Sequence, residues 1–317
     1  MKNDFPHPEW LGKPYYSLDA YCKNTFQHKC YKIALDAHMT CPNRDGTAGS
    51  RGCLFCSAGG SGEFAASGAT IQQQLEEGLS LFGEKQIGDH YIAYFQAYTN
   101  TYAPVERLRT LYTQALDHPK VCGISIATRP DCLPQPVLDL LTELRQTYPD
   151  KFIWIELGLQ TIHEDTALLI RRGYSLSCFA EAVDALRQCQ LPFIVHVILG
   201  LPGEDASRCY DTIRYLNGIA PFGIKLQLLH VLTGTDLEDL YARGKFEVMT
   251  KEGYLDLLIH ALELLSPDIV IHRLTGDGPR KLLLAPEWSL NKRDVLNTLH
   301  KLMRERNTWQ GRLYLSE

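Results

Sequence analysis

Three cysteines that could bind a metal centre lie within one short, glycine-rich stretch of the 317-residue chain. Cys41, Cys53 and Cys56 have the spacing C-x11-C-x2-C, and the stretch contains no fourth cysteine. Thiolates favour soft centres such as zinc or iron–sulfur clusters. Because a closed zinc site or an ordinary cluster uses four protein ligands, three thiolates would leave one position open to a small molecule. The stretch therefore predicts a metal centre with an open position, and a zinc-stapled loop is the alternative.

The elements around these cysteines would place them at one end of a sheet. A strand is predicted over Lys32–Ala37, and the cysteine loop, residues 38–62, follows it directly. The repeated glycines of this loop would let the backbone wrap closely around a bound centre.

The same stretch resembles the radical S-adenosylmethionine (SAM) superfamily. The resemblance rests on Cys41-Pro-Asn-Arg-Asp-Gly-Thr, on Cys53-Leu-Phe-Cys56 and on Gly60-Ser-Gly62-Glu-Phe64-Ala. It narrows to the YhcC/YtqA-type proteins, which are relatives of the catalytic subunit of elongator. The commonest spacing in the superfamily is C-x3-C-x2-C, whereas the longer first gap is typical of the narrower group. The resemblance covers nearly the whole chain.

The resemblance implies that the three cysteines bind a [4Fe–4S] cluster and that SAM chelates its fourth iron. An external one-electron donor such as flavodoxin or ferredoxin would reduce the cluster. SAM would then be cleaved to methionine and a 5′-deoxyadenosyl radical, which would remove a hydrogen atom from the substrate.

Strands and helices alternate along the rest of the chain, which is typical of a parallel sheet with right-handed crossovers. Further strands are predicted over Tyr91–Gln96, Gly123–Thr128, Phe152–Gln160, Phe193–Gly200, Gly223–Val231 and Asp268–Leu274. Six or seven such units fall short of a closed eight-stranded barrel. We therefore predict an α/β fold, a partial (β/α)6 TIM-like radical SAM barrel over residues 31–275. A short N-terminal extension, 1–30, and a mainly helical C-terminal extension, 276–317, would flank it.

The resemblance also assigns SAM contacts to residues near the carboxyl ends of the strands, where barrels of this kind hold their active sites. Phe55 would pack on the adenine. Arg172 would meet the SAM carboxylate, for which the planar fork of arginine is well suited. The turn after the second strand would meet the SAM amino group, although the glycine pair common there is absent. Its candidate side chains are Gln96, Thr99 and Asn100.

Two further strands carry polar residues that we assign to the SAM site. Glu156 and Gln160 share one face of the fourth strand, because side chains alternate along a strand. A carboxylate in such an apolar strand needs a partner when it is buried. His196 lies in the fifth strand, at a position where related enzymes carry a polar SAM-contacting residue.

The last strands end in polar side chains that we assign to the substrate. They are Gln227, His230, His272, Arg273, Thr275 and Asp277. Kinship with elongator implies a tRNA substrate, specifically the C5 side chain of a wobble uridine. One alternative is radical oxidation or rearrangement of a small metabolite. An alternative of another class is a zinc-bearing RNA-binding or scaffold protein without catalysis.

Charge, hydropathy and cysteine content indicate which binding partners and which cellular location to expect. The net charge of −5 gives no general attraction to nucleic acid, so we expect no DNA partner and only a local RNA-binding patch. The sequence has no apolar run of membrane-spanning length and no apolar signal-peptide core, so we expect no membrane partner. Ten cysteines without a secretory signal favour reduced thiols and a cytoplasmic location.

The most coherent basic stripe lies in a helix predicted over Asn291–Arg306. One side of that helix would be apolar, through Val295, Leu299, Leu302 and Met303. The other side would carry Arg293, Asn297, His300, Lys301 and Arg304. This stripe is either a solvated face or a surface that contacts tRNA phosphates.

Overall fold

The computed structural model describes residues 5–60, 62–66, 68–83, 90–276 and 278–315. Its strands are β1 (Tyr31–Asp36), β2 (Tyr91–Gln96), β3 (Val121–Thr128), β4 (Phe152–Gln160), β5 (Phe193–Leu199), β6 (Gly223–Leu228), β7 (Val231–Leu232), β8 (Val270–Arg273) and β9 (Leu283–Ala285). Within these residues, seven strands form one sheet in the order β1-β2-β3-β4-β5-β6-β8. Its registers are parallel between β1 and β2, β2 and β3, β3 and β4, and β6 and β8. The predicted α/β class is therefore confirmed.

Helices connect these strands. They are α1 (Leu18–Phe26), α2 (Ile71–Gly83), α3 (Val105–Leu116), α4 (Gln135–Thr147), α5 (Glu164–Leu169), α6 (Leu176–Gln188), α7 (Ala206–Ile219), α8 (Asp236–Ala242), α9 (Lys251–Leu264) and α10 (Lys292–Glu305). Several begin where a side chain accepts a backbone N–H of the first turn, which satisfies a donor that the helix itself cannot pair. These capping residues are Ser175, Asp205, Thr250 and Asn291. No helix in the described ranges is long and apolar enough to span a bilayer.

The chain divides into two compact units. The loop unit comprises residues 26–158 and 172–194, and it contains the cysteine loop, β1 to β3 and most of β4. The tail unit comprises residues 1–25, 159–171 and 195–317, and it contains β6 to β9 and α7 to α10.

The predicted sixth strand, Gly223–Val231, is wrong in its extent. The parallel strand β6 ends at Leu228, and the next residues leave the ladder. Val231 and Leu232 then form β7, which pairs antiparallel with β9. The apolar pattern continues through this break because both pieces are buried, so the pattern alone could not show where the pairing partner changes.

The helix at the C-terminal end confirms part of the predicted stripe. Val295, Leu299 and Met303 are buried along one side of α10. Arg293, Asn297, Lys301 and Arg304 are exposed on the other. His300 leaves the stripe, because its Nε2 lies 3.0 Å from the hydroxyl of Tyr15. Burial and the charges of Lys13 and Arg304 lower the pKa of His300 to about 4, so it stays neutral near neutral pH.

Glu156 is completely buried in the middle of β4, and its carboxylate contacts Lys32 and Ser125 within the loop unit. Lys32 Nζ lies 2.7 Å from its Oε1, and Ser125 Oγ donates to the same oxygen at 2.6 Å. The ammonium of Lys32 also lies 4.7 Å from the centre of the Tyr94 ring. The ion pair links β1 to β4, and the hydrogen bond from Ser125 links β3 to β4. The assignment of Glu156 to SAM stays a prediction.

Replacing Glu156 by Gln should lower the free energy of unfolding by about 2–3 kcal/mol, because a buried ion pair loses one partner while Lys32 keeps partial access to water. The double replacement of Lys32→Met with Glu156→Gln should recover part of this loss, since no charge is then left unpaired. Urea unfolding of the wild type, both single variants and the double variant measures the coupling. Purely additive losses would contradict the pairing.

Candidate functional site

The cysteine loop leaves the carboxyl end of β1 and folds back on itself through its own backbone. Cys41, Cys53 and Cys56 are free thiols, and each is partly exposed. The carbonyl of Cys41 accepts from the N–H of Arg44 at 2.8 Å, and that of Cys53 accepts from the N–H of Cys56 at 3.0 Å. The three ligand candidates are therefore presented by one locally hydrogen-bonded loop.

Asn43 is held beside the cysteines in a slot lined by glycine. Its Nδ2 lies 3.5 Å from Sγ of Cys53. A methyl group on Gly49 would lie 2.6 Å from its Oδ1, and one on Gly173 would lie 2.7 Å from the same atom. Only glycine allows this approach at either position, so the slot fixes an amide donor against a cysteine sulfur. Hydrogen bonds to ligand sulfurs tune iron–sulfur clusters.

Arg44 stabilises the part of the loop around Cys56 and Ser57. One guanidinium nitrogen donates to the carbonyls of Cys56 at 2.8 Å and Ser57 at 2.5 Å. The same guanidinium lies 5.5 Å from the centre of the Tyr98 ring. A positive charge thus stands directly beside Cys56.

Two of the three thiols, Cys53 and Cys56, hold their protons more tightly than a free cysteine does. Burial raises the pKa of Cys53 to about 12. Burial also raises the pKa of Cys56, against the opposing effect of Arg44. A metal centre binds the thiolate, so it must displace these protons and supply the positive charge that burial demands. This donor set, with the glycine-lined cradle around it, fits an iron–sulfur cluster.

The turn after β2 packs against the cysteine loop. Ala97 and Tyr98 both have positive φ, 70° and 61°, the left-handed conformation that glycine adopts most easily. Each such residue costs about 1–2 kcal/mol. The turn therefore keeps the conformation of a glycine pair although it contains none.

Contacts with the loop offset that cost. The hydroxyl of Tyr98 donates to the carbonyl of Ala58, and its N–H donates to the carbonyl of Gly60 at 3.0 Å. A methyl group on Gly60 would lie 2.4 Å from Cδ1 of Tyr98, and one on Gly62 would lie 2.4 Å from Cβ of Ala97. The turn and the loop thus meet with no space for a side chain at either glycine.

The predicted amino-group contacts lie in this turn and differ in their surroundings. Asn100 is fully buried, and its Nδ2 donates to the carbonyls of Ala97 and Ala127 at 3.1 Å each. The Oδ1 of Asn100 is buried without a hydrogen-bond partner among the described residues. Thr99 is also buried, and Gln96 is half-buried. Asn100 therefore clamps the turn to β3, and contact with SAM at these positions stays a prediction.

Arg172 lies in the loop unit together with the cysteines. Its side chain is 1% exposed, its Nε donates to the carbonyl of Tyr174 at 2.9 Å, and its guanidinium lies 5.0 Å from the Tyr174 ring. Tyr174 in turn donates to the carbonyl of Gly158 at 2.8 Å. The neighbouring Gly173 borders the slot of Asn43, so this turn reaches the loop that carries the cysteines.

Arg129 is a site residue that the sequence analysis missed. It pairs with Asp131 through two hydrogen bonds of 2.9 and 2.6 Å, and it donates to the carbonyl of Arg172 at 3.1 Å. Its charge also acts on Cys53, whose pKa it lowers against the larger effect of burial. The available signal was the polar break Arg129-Pro130-Asp131 directly after β3, at the same edge of the sheet as the cysteine loop.

The remaining predicted residues take other positions. Phe55 is half-buried and lies between Cys53 and Cys56 in the sequence. Gln160 ends β4 with a φ of 62°, and His196 is half-buried in β5. Both lie in the tail unit. Their assignment to SAM stays a prediction.

Two of the predicted substrate residues, His230 and His272, lie near opposite ends of β6 in the tail unit. A methyl group on Gly276 would lie 2.4 Å from Cε1 of His230, beyond the carboxyl end of β6. His272 instead lies against Phe222 at the amino end of β6, with ring centroids 5.6 Å apart. The register between β6 and β8 shifts at this point, which turns His272 away from the regular ladder.

Burial and the charge of Lys292 lower the pKa of His230 to about 4. Gln227, Arg273 and Thr275 are half-buried, and Asp277 lies outside the described residues. Contact of these residues with a substrate stays a prediction.

The tail unit also contains a cavity of about 570 Å³ beside the turn Gly200-Leu201-Pro202-Gly203-Glu204. That volume suits a small ligand. None of the residues assigned from sequence to SAM or to the substrate lines it.

Comparison with known proteins agrees with this picture. The profile of the radical SAM superfamily matches residues 45–216, and that of the radical SAM C-terminal domain matches residues 221–305. The uncharacterized protein YtqA of Bacillus subtilis is 43% identical over 99% of this chain and 97% of its own length. Protein YhcC of Escherichia coli is 35% identical over 88% of this chain and 89% of its own length.

Among solved structures, the archaeal Elp3 of Methanocaldococcus infernus, with its N-terminus deleted, superposes with a TM-score of 0.67 at 16% identity. The match covers 89% of this chain and 64% of that one. At this identity the likeness concerns the fold, and it confirms the partial barrel that the alternating strands and helices predict.

Gly60→Ala should reduce the iron bound after anaerobic reconstitution, because the added methyl group would displace Tyr98 from the loop. Gly46→Ala is the matched control. Gly46 also has positive φ, 96°, but a methyl group there would meet no atom within 4 Å. Iron content and visible absorbance per chain measure the effect. Equal losses in the two variants would show that backbone strain matters here and that the packing against Tyr98 does not.

Proposed function

Because the chain belongs to the radical SAM superfamily, we propose that it is a tRNA-modifying enzyme acting on the C5 side chain of a wobble uridine. Cys41, Cys53 and Cys56 would hold a [4Fe–4S] cluster, and SAM would bind beside it. The observation that carries the proposal is the presentation of three free thiols by one glycine-rich loop, next to a buried arginine turn. The resemblance to the elongator catalytic subunit supports the tRNA substrate.

A bound cluster supplies the electron that cleaves the sulfonium of SAM, and radical SAM enzymes need an external donor for that electron. The protein's own groups hold and orient the reactants. Asn43 donates towards Cys53, Arg44 fixes the loop through its carbonyls, and Arg129 holds the backbone of Arg172. Arg172 would pair with the SAM carboxylate, since a buried guanidinium is strongly stabilised by an anion.

The zinc-binding alternative requires a compact set of ligands around one ion. Across the described ranges, no group of three or more His, Cys, Asp or Glu side chains is arranged in that way. That finding applies equally to Cys41, Cys53 and Cys56, so the iron and zinc content of the purified protein decides between the cluster and the zinc-binding alternative.

Arg172→Ala should weaken SAM binding by about 1.5–3 kcal/mol, the usual contribution of a hydrogen bond to a charged group. Release of 5′-deoxyadenosine from dithionite-reduced enzyme should fall at limiting SAM. Arg171→Ala is the matched control, because the neighbouring Arg171 pairs with Asp236 instead. Thermal unfolding of both variants separates a binding loss from a folding loss. Reduced, iron-replete wild type that releases no 5′-deoxyadenosine would contradict the radical mechanism itself.

The substrate is tested in cells that lack the gene. Mass spectrometry of nucleosides from their tRNA should show an altered wobble uridine. A plasmid-borne wild-type copy should restore it, whereas Cys53→Ala should not, because the cluster would lose a ligand. Cys189→Ala, which lies outside the loop, should restore it fully. Unchanged nucleosides together with 5′-deoxyadenosine release by the purified enzyme would favour the small-metabolite alternative.

The exposed basic side of α10 offers a surface for tRNA phosphates. Reversing Arg293, Lys301 and Arg304 to Glu should weaken tRNA binding and flatten its dependence on salt, because fewer counterions are released. The matched control reverses Arg187, Arg214 and Arg243, which are also exposed and give the same change in net charge. Filter binding across a salt series measures both. Equal effects of the two triple variants would show that only the net charge matters.

A further inference from the structure

A second pair of cysteines meets at the amino ends of the first strands, within the loop unit. Sγ of Cys122 lies 3.6 Å from Sγ of Cys30, although the two residues are 92 positions apart. Cys30 directly precedes β1, and Cys122 is the second residue of β3. The cysteine loop leaves the opposite end of β1, so this pair is separate from the cluster ligands. Both side chains are partly exposed, and a small reagent can therefore reach them.

The backbone around Cys122 is irregular. Tyr91 pairs with Val121 and Ile92 pairs with Gly123, so Cys122 stands outside the regular ladder between β2 and β3. Its thiol lies 3.1 Å from the carbonyl of Tyr91. The extra residue of a bulge is left unpaired in the ladder. The two sulfurs would have to close to about 2.05 Å to form a bond.

A histidine stands next to Cys30 and can act as a base. Nδ1 of His28 lies 3.7 Å from Sγ of Cys30, and its ring stacks on that of His90 with centroids 3.2 Å apart. A neighbouring imidazole activates a thiol by taking its proton. The thiol of Cys122 donates its one proton to the carbonyl of Tyr91, whereas the sulfur of Cys30 faces the imidazole of His28. Cys30 is therefore the nucleophile of the pair.

We propose that Cys30 and Cys122 form a reversible disulfide when they meet a small disulfide oxidant of the glutathione class. The Cys30 thiol gives its proton to His28, and its sulfur attacks one sulfur of the oxidant. One thiolate leaves and takes up that proton, and a mixed disulfide remains on Cys30. The sulfur of Cys122 then attacks Sγ of Cys30, and the second thiol leaves with the proton of Cys122. Two cysteine thiols are thereby oxidised by two electrons, and one oxidant disulfide is reduced to two thiols.

The test uses the reconstituted full-length enzyme, treated anaerobically with oxidised glutathione, quenched with acid and alkylated with N-ethylmaleimide. Peptide mass mapping should show a Cys30–Cys122 crosslink that is absent from Cys30→Ser and from Cys122→Ser. Cys178→Ser is the matched control, because Cys178 is also partly exposed and should leave the crosslink intact. The Tm of the oxidised wild type should rise, because the bond closes a long loop. His28→Asn should slow crosslinking about tenfold at neutral pH and much less at alkaline pH, where the thiol ionises without a base.

Three results would overturn the proposal. The first is oxidised wild type in which both cysteines are alkylated. The second is glutathione adducts on either cysteine without a crosslink. The third is reduced wild type that holds stoichiometric zinc and loses it in Cys30→Ser, which would make the pair a metal site. An unchanged crosslinking rate in His28→Asn would contradict the role of His28 as base.

Discussion

The structure around the cysteine loop depends on the close contact of the backbone of Gly60 and Gly62 with the side chains of Tyr98 and Ala97. These glycines let the cysteine loop lie directly on the turn formed by Ala97 and Tyr98, with no room for a methyl group between them. The left-handed backbone conformation of this turn costs free energy, and the hydrogen bonds of Tyr98 with the loop offset that cost. The cysteine loop and this turn therefore hold each other in place. The conformation of the loop that carries Cys41, Cys53 and Cys56 depends on this packing.

Positive charge is concentrated around the thiols. Arg44 lies beside Cys56, and Arg129 acts on Cys53 while it holds the backbone of Arg172. Partly buried thiolates and the carboxylate of a bound ligand are both costly without compensating charge. All three arginines therefore contribute positive charge to this region. Arg44 acts on Cys56 and Arg129 acts on Cys53, and Arg129 also donates to the carbonyl of Arg172. This arrangement suits a site that must gather anionic groups before any reaction begins.

The two ends of the sheet in the loop unit differ in character. The carboxyl ends of β1 to β4 carry the glycine-rich loop, the strained turn and the arginines. The amino ends carry an aromatic cluster in which Phe26 stacks on Phe152 with ring centroids 5.4 Å apart, together with the paired thiols of Cys30 and Cys122. Between them, the ion pair of Lys32 with the buried Glu156 links strands β1 and β4. The candidate metal-binding loop and the paired thiols thus lie at opposite ends of these strands.

The sequence alone determined the triplet of candidate ligands, the alternation of strands and helices and the family resemblance. These features are local, because spacing and periodicity act over a few residues. It also placed Arg172 in the same region of the chain as its glycine and tyrosine partners. It could not show that Arg129 would join them, because that contact spans more than forty positions and depends on the register of two strands. Nor could it show the removal of His300 from the basic stripe, the break after β6 or the meeting of Cys30 with Cys122. Each of these depends on which distant segments become neighbours, and only the tertiary packing of the whole chain decides that.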